Sequence, residues 1–145
     1  GGAPFYDTYR CADGKYVAIG PLEPQFYAEL LRRLDICDPR AVQRDDRTSW
    51  PELKTTFARI FATRDRDAWC ALLEGSDACF APVLELDEVP DHPHHQAREA
   101  FHQTDGVLHP APAPRFSATP AARPSMGKPV DPDDLLTRWS TAAGA

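Results

Sequence analysis

Apolar and polar positions change their spacing several times along the chain, and the changes mark the elements. Phe5 to Ala12 and Lys15 to Gly20 are two short β-prone runs joined at Asp13-Gly14. Asp-Gly between such runs predicts a hairpin, because both turn positions tolerate φ > 0. Tyr6, Thr8 and Arg10 alternate with Phe5, Asp7 and Tyr9, so both faces are mixed and the turn, not the periodicity, carries the assignment. A helix is predicted from Glu23-Pro24. Proline at the first helical position sacrifices no hydrogen bond, and a carboxylate at the entry suits the helix dipole. Phe26, Tyr27, Leu30, Leu31 and Leu34 follow at 3-4 spacing as one apolar stripe, with Arg32 and Arg33 near the end.

The next segment, Arg40 to Arg47, is polar and predicts only loose helix. Ser49 precedes Trp50-Pro51-Glu52, a Ser-x-x-Glu capping-box pattern, and Leu53, Phe57, Ile60 and Phe61 supply the stripe behind it. Arg64-Asp65-Arg66-Asp67 opens a third helix carrying Trp69, Leu72 and Leu73, with Gly75 as its stop. Ala78 to Leu84, containing Cys79, Phe80 and Val83, reads as a buried strand.

From Asp87 the texture changes. Asp87 to Glu99 accommodates one or two helical turns broken by Pro90 and Pro93, and Phe101 to Leu108 predicts a hairpin turning at Asp105-Gly106. Beyond it, Pro110, Pro112, Pro114, Pro120, Pro124, Pro129 and Pro132 exclude regular helix or central strand and favour an extended path. A short helix from Pro132 to Trp139, with Asp131 as its N-cap, closes the chain. The fold class expected is α+β: an N-terminal β-hairpin, about three helices and a short antiparallel sheet over residues 1–108, then a proline-rich segment and helix over 109–145.

With 145 residues, 42% hydrophobic and 26% charged, the chain has ordinary globular composition. A net charge of -6 argues against nucleic acid as a partner, since that footprint is basic. No apolar run approaches the ~18 residues of a membrane span. The first residue is Gly1 with no initiator methionine, so a piece of something longer is expected. Cys11, Cys37, Cys70 and Cys79 are spaced too widely for a CxxC motif and read as reduced thiols of a cytoplasmic protein. Arginine supplies nearly all the positive charge, against Lys15, Lys54 and Lys128, and fits a GC-rich bacterial genome.

Candidate chemistry is sparse. His92, His94 and His95, with Asp91 and Glu99, cluster without a standard metal-ligand spacing, and a solvated capping turn is the favoured reading. Cys70 has Arg66 one turn earlier, which lowers its pKa a little, but no histidine close by. No G-x-S-x-G, G-x-G-x-x-G or P-loop pattern is present. Tyr6, Tyr9 and Tyr27 read as core-edge aromatics. Glu23 stands out at a strand-to-helix seam, where a carboxylate either starts the helix or reaches into a cleft.

Several stretches together resemble one family: Gly2-Ala3-Pro4-Phe5-Tyr6, Ala12-Asp13-Gly14-Lys15-Tyr16-Val17-Ala18-Ile19-Gly20, Leu22-Glu23-Pro24-Gln25-Phe26-Tyr27, Asp77-Ala78-Cys79-Phe80-Ala81-Pro82-Val83-Leu84, His92-Pro93-His94 and Pro112-Ala113-Pro114-Arg115-Phe116-Ser117. It is the α-methylacyl-CoA racemase branch of the family III CoA-transferases, matched over its C-terminal part. The resemblance implies epimerisation of 2-methylacyl-CoA thioesters by 1,1-proton transfer through an enolate, without metal or redox cofactor. It places the acid/base histidine and aspartate in a larger N-terminal domain, so none of the five histidines here stands in for them and the segment alone is expected to be inactive. Glu23 matches the family's small-domain glutamate, which implies a supporting role beside the catalytic base. The partners implied are the acyl-CoA substrate, with Arg10, Lys15 and Arg115 either candidates for its CoA phosphates or plain solvated surface, the large domain, and the second subunit of an interlocked dimer. A CoA-transferase working through an aspartyl thioester, and a non-catalytic acyl-CoA or protein-binding module, are the alternatives.

Overall fold

A computed structural model describes residues 1–123, 127 and 130–142. Pro124 and Pro129 of the proline-rich stretch lie outside the described residues. The chain divides into two compact units, Gly1–Glu85 and Leu86–Ala145. The boundary expected at 108 on composition falls inside a strand of the second unit.

The first unit is α+β. Strands β1 (Asp7–Arg10) and β2 (Tyr16–Ile19) form the N-terminal hairpin, and β3 (Phe80–Val83) returns to complete an antiparallel sheet of order β1-β2-β3. The hairpin turn differs from the expectation in detail. Only Gly14 takes a positive φ, of 85°. The Gly14 amide donates to the Cys11 carbonyl at 3.1 Å, and Cys11 donates to the Lys15 carbonyl at 2.8 Å, so the connection is a longer loop with glycine at its left-handed position. Asp13 is used otherwise: its carboxylate accepts from the Lys15 amide and, at 3.1 Å, from the Arg66 amide, tying the turn to a distant helix.

Helices α1 (Pro24–Arg33), α2 (Pro39–Val42), α3 (Trp50–Phe61) and α4 (Arg66–Leu73) lie between β2 and β3 in the chain. Three of them are the expected ones, and α2 is a single turn capped by Asp38. The capping box expected at Ser49 does not form. A 3-10 turn over Arg47–Ser49 runs straight into α3, which puts Ser49 in the helical region where its hydroxyl no longer reaches forward. Asp46 caps the turn instead, accepting from the Thr48 amide at 3.0 Å, and Glu52 pairs with Arg40.

Tyr27, Leu30 and Leu31 of α1, Leu53, Phe57 and Phe61 of α3, and Trp69 and Leu73 of α4 bury their apolar stripes against Tyr9, Val17 and Ile19 of the hairpin in one cluster. The core face that the sequence pattern left open is therefore the Tyr9/Val17/Ile19 face. Tyr9 stacks on Phe61 at 5.3 Å, Phe61 meets Trp69 edge-on at 5.2 Å, and the Trp69 indole donates to the Phe61 carbonyl at 2.9 Å. Each fully buried side chain of this kind is worth roughly 1.5–3 kcal/mol relative to exposure. Arg66, 6% exposed, donates to the Val83 carbonyl at 3.2 Å and so fastens α4 to β3.

Strand β3 is not the buried strand expected. Its residues alternate between half-buried and exposed, and Cys79 is exposed with φ of 48°. The reason is its place at the sheet edge, where Pro82 is tolerated because it need not donate to a further strand.

The second unit contains α5 (Pro93–Ala97), the hairpin of β4 (Phe101–Thr104) and β5 (Val107–Pro110), and α6 (Pro132–Ala142). Here both turn residues, Asp105 and Gly106, take positive φ, of 52° and 79°, as a two-residue hairpin of the primed kind requires. The stretch from Ala111 to Arg123 forms no helix or strand and includes a cis Ala113–Pro114 bond. Asp131 caps α6, accepting from the Asp133 amide at 2.9 Å.

Candidate functional site

Glu23 is the N-cap of α1 by backbone geometry, with φ of -77° and ψ of 143°. Pro24 follows at the first helical position, and the Tyr27 amide donates to the Glu23 carbonyl at 3.0 Å. The side chain takes no part in this cap. It is exposed, and it has no hydrogen-bond or ion-pair partner among the described residues. A helix start alone does not require a free carboxylate there, since the dipole stabilisation of an exposed group is about 0.3–1 kcal/mol at most.

The seam that presents Glu23 is held firmly. The Gly20 amide donates to the Cys79 carbonyl at 2.9 Å, the Leu22 amide turns back to the Gly20 carbonyl at 2.9 Å, and Pro21 is fully buried. Leu22, by contrast, is 52% exposed beside Glu23. Cys79 is the near neighbour across the seam. Burial, then the negative charges of Glu23 and Asp77, push its thiol above the usual range. The pattern reading of Cys79 as a buried hydrophobe concealed this proximity, because a strand edge cannot be told from a strand interior over so short a run.

Next to the seam lies a groove of about 410 Å³ between Tyr6–Thr8 and Ala18–Gly20, with Gly1 beside them. Tyr6 is 55% exposed rather than a core-edge aromatic like Tyr9 and Tyr27, both of which are buried. Its ring lies against Gly20, where a Cβ would meet it at 3.4 Å. Asp7, the one acidic residue lining the groove, pairs with Lys54. Burial pushes the Asp7 carboxyl up, but the hydrogen bonds from Lys54 and the Thr8 amide outweigh it and hold the group below its usual range.

The remaining candidates do not converge. Burial is the largest influence on Cys70 and drives its thiol up to about 11, overriding the opposite pull of Arg66 expected from the sequence. Cys11 is likewise pushed up to about 11 by burial. His92 caps α5 with its backbone only, and the rings of His92 and His94 lie 5.3 and 5.8 Å from that of His95. The His95 Nδ1 sits 2.6 Å from the Val89 carbonyl. Among the described residues no three histidine, cysteine, aspartate or glutamate side chains are grouped so as to hold a metal. Arg10 and Lys15 belong to the β1–β2 hairpin, whereas Arg115 lies in the second unit and donates to the Glu99 carbonyl at 2.8 Å. Sequence reasoning missed Arg44, whose guanidinium lies 5.3 Å from the Phe5 ring centroid and 5.5 Å from that of Tyr27 and so steadies the segment leading to Tyr6. Nothing in its polar surroundings marks it in advance. No helix among the described residues is long and apolar enough to cross a membrane.

The mouse α-methylacyl-CoA racemase is 43% identical over 135 residues, covering 88% of this chain and 35% of that protein. The human α-methylacyl-CoA racemase is 42% identical over 122 residues, covering 83% of this chain and 32% of that protein. The chain thus spans about a third of the length of these relatives. Among solved structures, Rv3272 of M. tuberculosis superposes with a TM-score of 0.66 at 18% identity, covering 79% of this chain and 33% of that one, which establishes likeness of fold. The profile of CoA-transferase family III matches residues 1–132, and the chain belongs to that family.

Proposed function

We propose that this chain is the C-terminal portion of an α-methylacyl-CoA racemase and contributes Glu23 to the rim of its active site. The observation that carries the reading is the 43% identity to the mouse racemase over 135 residues. The reaction removes the α-proton of a 2-methylacyl-CoA and returns a proton to the opposite face of the enolate, with no metal or redox cofactor. The acid/base pair and most of the CoA surface belong to the larger N-terminal part, and in an interlocked dimer this segment faces the large domain of the second subunit. Free thiols at Cys11, Cys37, Cys70 and Cys79 suit a cytoplasmic setting.

Glu23 is then a positioning residue. An exposed carboxylate on a rigid seam can accept a hydrogen bond from the catalytic base or favour its protonated form without touching the substrate. In the longer protein, Glu23→Gln lowers kcat/KM by less than the about 10²–10⁴-fold that loss of an acid or base costs, and shifts the pH-rate profile. A purely structural helix start changes stability and leaves the profile in place.

CoA transfer is the competing reading, favoured by a Caenorhabditis elegans CoA-transferase family protein 32% identical over 115 residues. The two separate in one assay. A racemase scrambles the configuration of a single chiral 2-methylacyl-CoA with no second acid present, whereas a transferase is silent until an acceptor carboxylate is added.

A further inference from the structure

Gly20, Pro21 and Leu22 carry the chain from β2 to the N-cap of α1. The amides of Gly20 and Leu22 are already used, on the Cys79 and Gly20 carbonyls. Pro21 has no N–H of its own and is fully buried, so its carbonyl is the group that still needs a donor. Arg44, from the loop between α2 and the 3-10 turn, supplies it: a guanidinium nitrogen donates to the Pro21 carbonyl at 3.5 Å. So long a bond does not hold a flexible side chain by itself.

Aromatic rings do the rest. The guanidinium lies 5.3 Å from the Phe5 centroid and 5.5 Å from that of Tyr27, and those two rings meet edge-on at 5.4 Å. Trp50 meets Phe5 at 5.8 Å, and its indole N–H donates to the Arg44 carbonyl at 2.7 Å, which fixes the backbone from which the arginine reaches. Asp45 is 97% exposed and 3.9 Å from the Arg44 Nε, so solvent screens that pair and leaves the cation to the rings. A planar guanidinium stacks and donates at once, which an ammonium does not. These contacts fall on both sides of Glu23 in the chain. Pro21 precedes it, and Tyr27 follows it in the first turn of α1 and donates its amide to the Glu23 carbonyl at 3.0 Å. One arginine therefore ties the seam to the start of the helix, with Glu23 between them.

We propose that Arg44 is a positioning residue that acts through Glu23: it braces the chain on both sides of that residue and so fixes where the carboxylate is presented. The proposal rests on the role given to Glu23 above. Its test uses the longer protein carrying this segment, with Arg44→Met, Glu23→Gln and the double variant compared in racemisation of a single chiral 2-methylacyl-CoA. Arg44→Met lowers kcat more than it raises KM and displaces the pH-rate profile in the same direction as Glu23→Gln. In the Glu23→Gln background it adds no further loss, because residues that act through one group are not additive. Arg44→Lys, which keeps the charge and a donor but not the plane, recovers part of the rate. Equal fold losses from Arg44→Met in both backgrounds, or a pH-rate profile left in place, overturn the proposal. A second readout needs no turnover. Arg44→Met quickens hydrogen exchange at the Gly20 and Leu22 amides by about tenfold or more and leaves the Phe57 and Phe61 amides of α3 protected, as a local opening requires. Unchanged exchange at the seam, or an equal rise in α3, overturns the proposal. Should Arg44→Met fail to fold, the profile and exchange of Arg44→Lys decide in its place. A Glu23→Gln variant that matches the wild type in rate and profile defeats the role of Glu23, while the seam amides still decide the brace.

Discussion

Every member of the buried apolar cluster, from Phe5 to Ala78, belongs to the first unit, whereas the second unit leaves Leu108, Phe116, Leu136 and Trp139 between 46% and 68% exposed. Both units contain an antiparallel hairpin closed at an Asp-Gly pair, so their local grammar is the same. The difference is support. The β1–β2 hairpin has a third strand beside it and helices α3 and α4 over its core face, while β4–β5 is an isolated two-stranded ribbon, which is marginal in water. In the ribbon, His102 sits opposite His109 with ring centroids 5.7 Å apart, and both His102 nitrogens and the His109 Nε2 are buried without a hydrogen bond. Unsatisfied buried polar groups weaken rather than anchor a structure. The contrast teaches that the first unit has an apolar core of its own to hold the Glu23 seam in place, whereas the second unit contributes no residue to that cluster.

The largest expected effects strike at that contrast. Phe57→Ala, at a residue 1% exposed, costs about 3–5 kcal/mol by urea denaturation and threatens the whole first unit. Trp139→Ala, at a residue 68% exposed, changes stability by less than about 0.5 kcal/mol despite removing a larger side chain. A comparable loss in both removes the distinction between the units. The two hairpin glycines sharpen it further. Gly14→Ala places a Cβ at φ of 85° and 3.3 Å from the Arg10 guanidinium, and costs more than about 1 kcal/mol of first-unit stability. Gly106→Ala, at φ of 79°, speeds amide hydrogen exchange in β4–β5 and leaves the first unit's unfolding midpoint where it was.

Smaller effects test the electrostatics. Hydrogen bonds from Arg32 and then Arg33 hold the Glu29 carboxyl down at about 2, against an ordinary value of 4.5. Because the folded value is the lower one, the contribution is present above the ordinary value and is lost as pH falls from 4.5 through about 2. Glu29→Gln therefore flattens the acid limb of the stability curve slightly, the effect being small for an exposed pair. The smallest change is kinetic. Removing the Glu23 charge in Glu23→Gln lowers the Cys79 thiol toward its ordinary range and quickens its alkylation modestly near pH 8, and an unaltered rate denies the proximity of the two groups.

Much of the first unit was legible because its signals are local. Proline at the start of α1, the 3-4 stripes of α1, α3 and α4, and Gly75 beyond α4 each reflect the physics of one turn. The readings that failed depended on what lies nearby in space. Ser49 lost its cap to a preceding 3-10 turn, Cys79 fell at a sheet edge, and Tyr6 left the core although its neighbours Phe5 and Tyr9 entered it. Glu23 was visible as a carboxylate at a seam, but the groove beside that seam, between Tyr6–Thr8 and Ala18–Gly20, is a product of cross-strand register. Register is set by pairing partners distant in the chain, and no window of sequence displays it.

The most direct test of the account is α-proton exchange of a 2-methylacyl-CoA in deuterated water, catalysed by this chain alone, by the longer protein and by its Glu23→Gln variant. The account predicts no exchange with the chain alone, exchange with the longer protein, and slower exchange with a displaced pH profile in the variant. Exchange by the isolated chain would place a complete acid/base pair within these residues and contradict the division of labour proposed for Glu23.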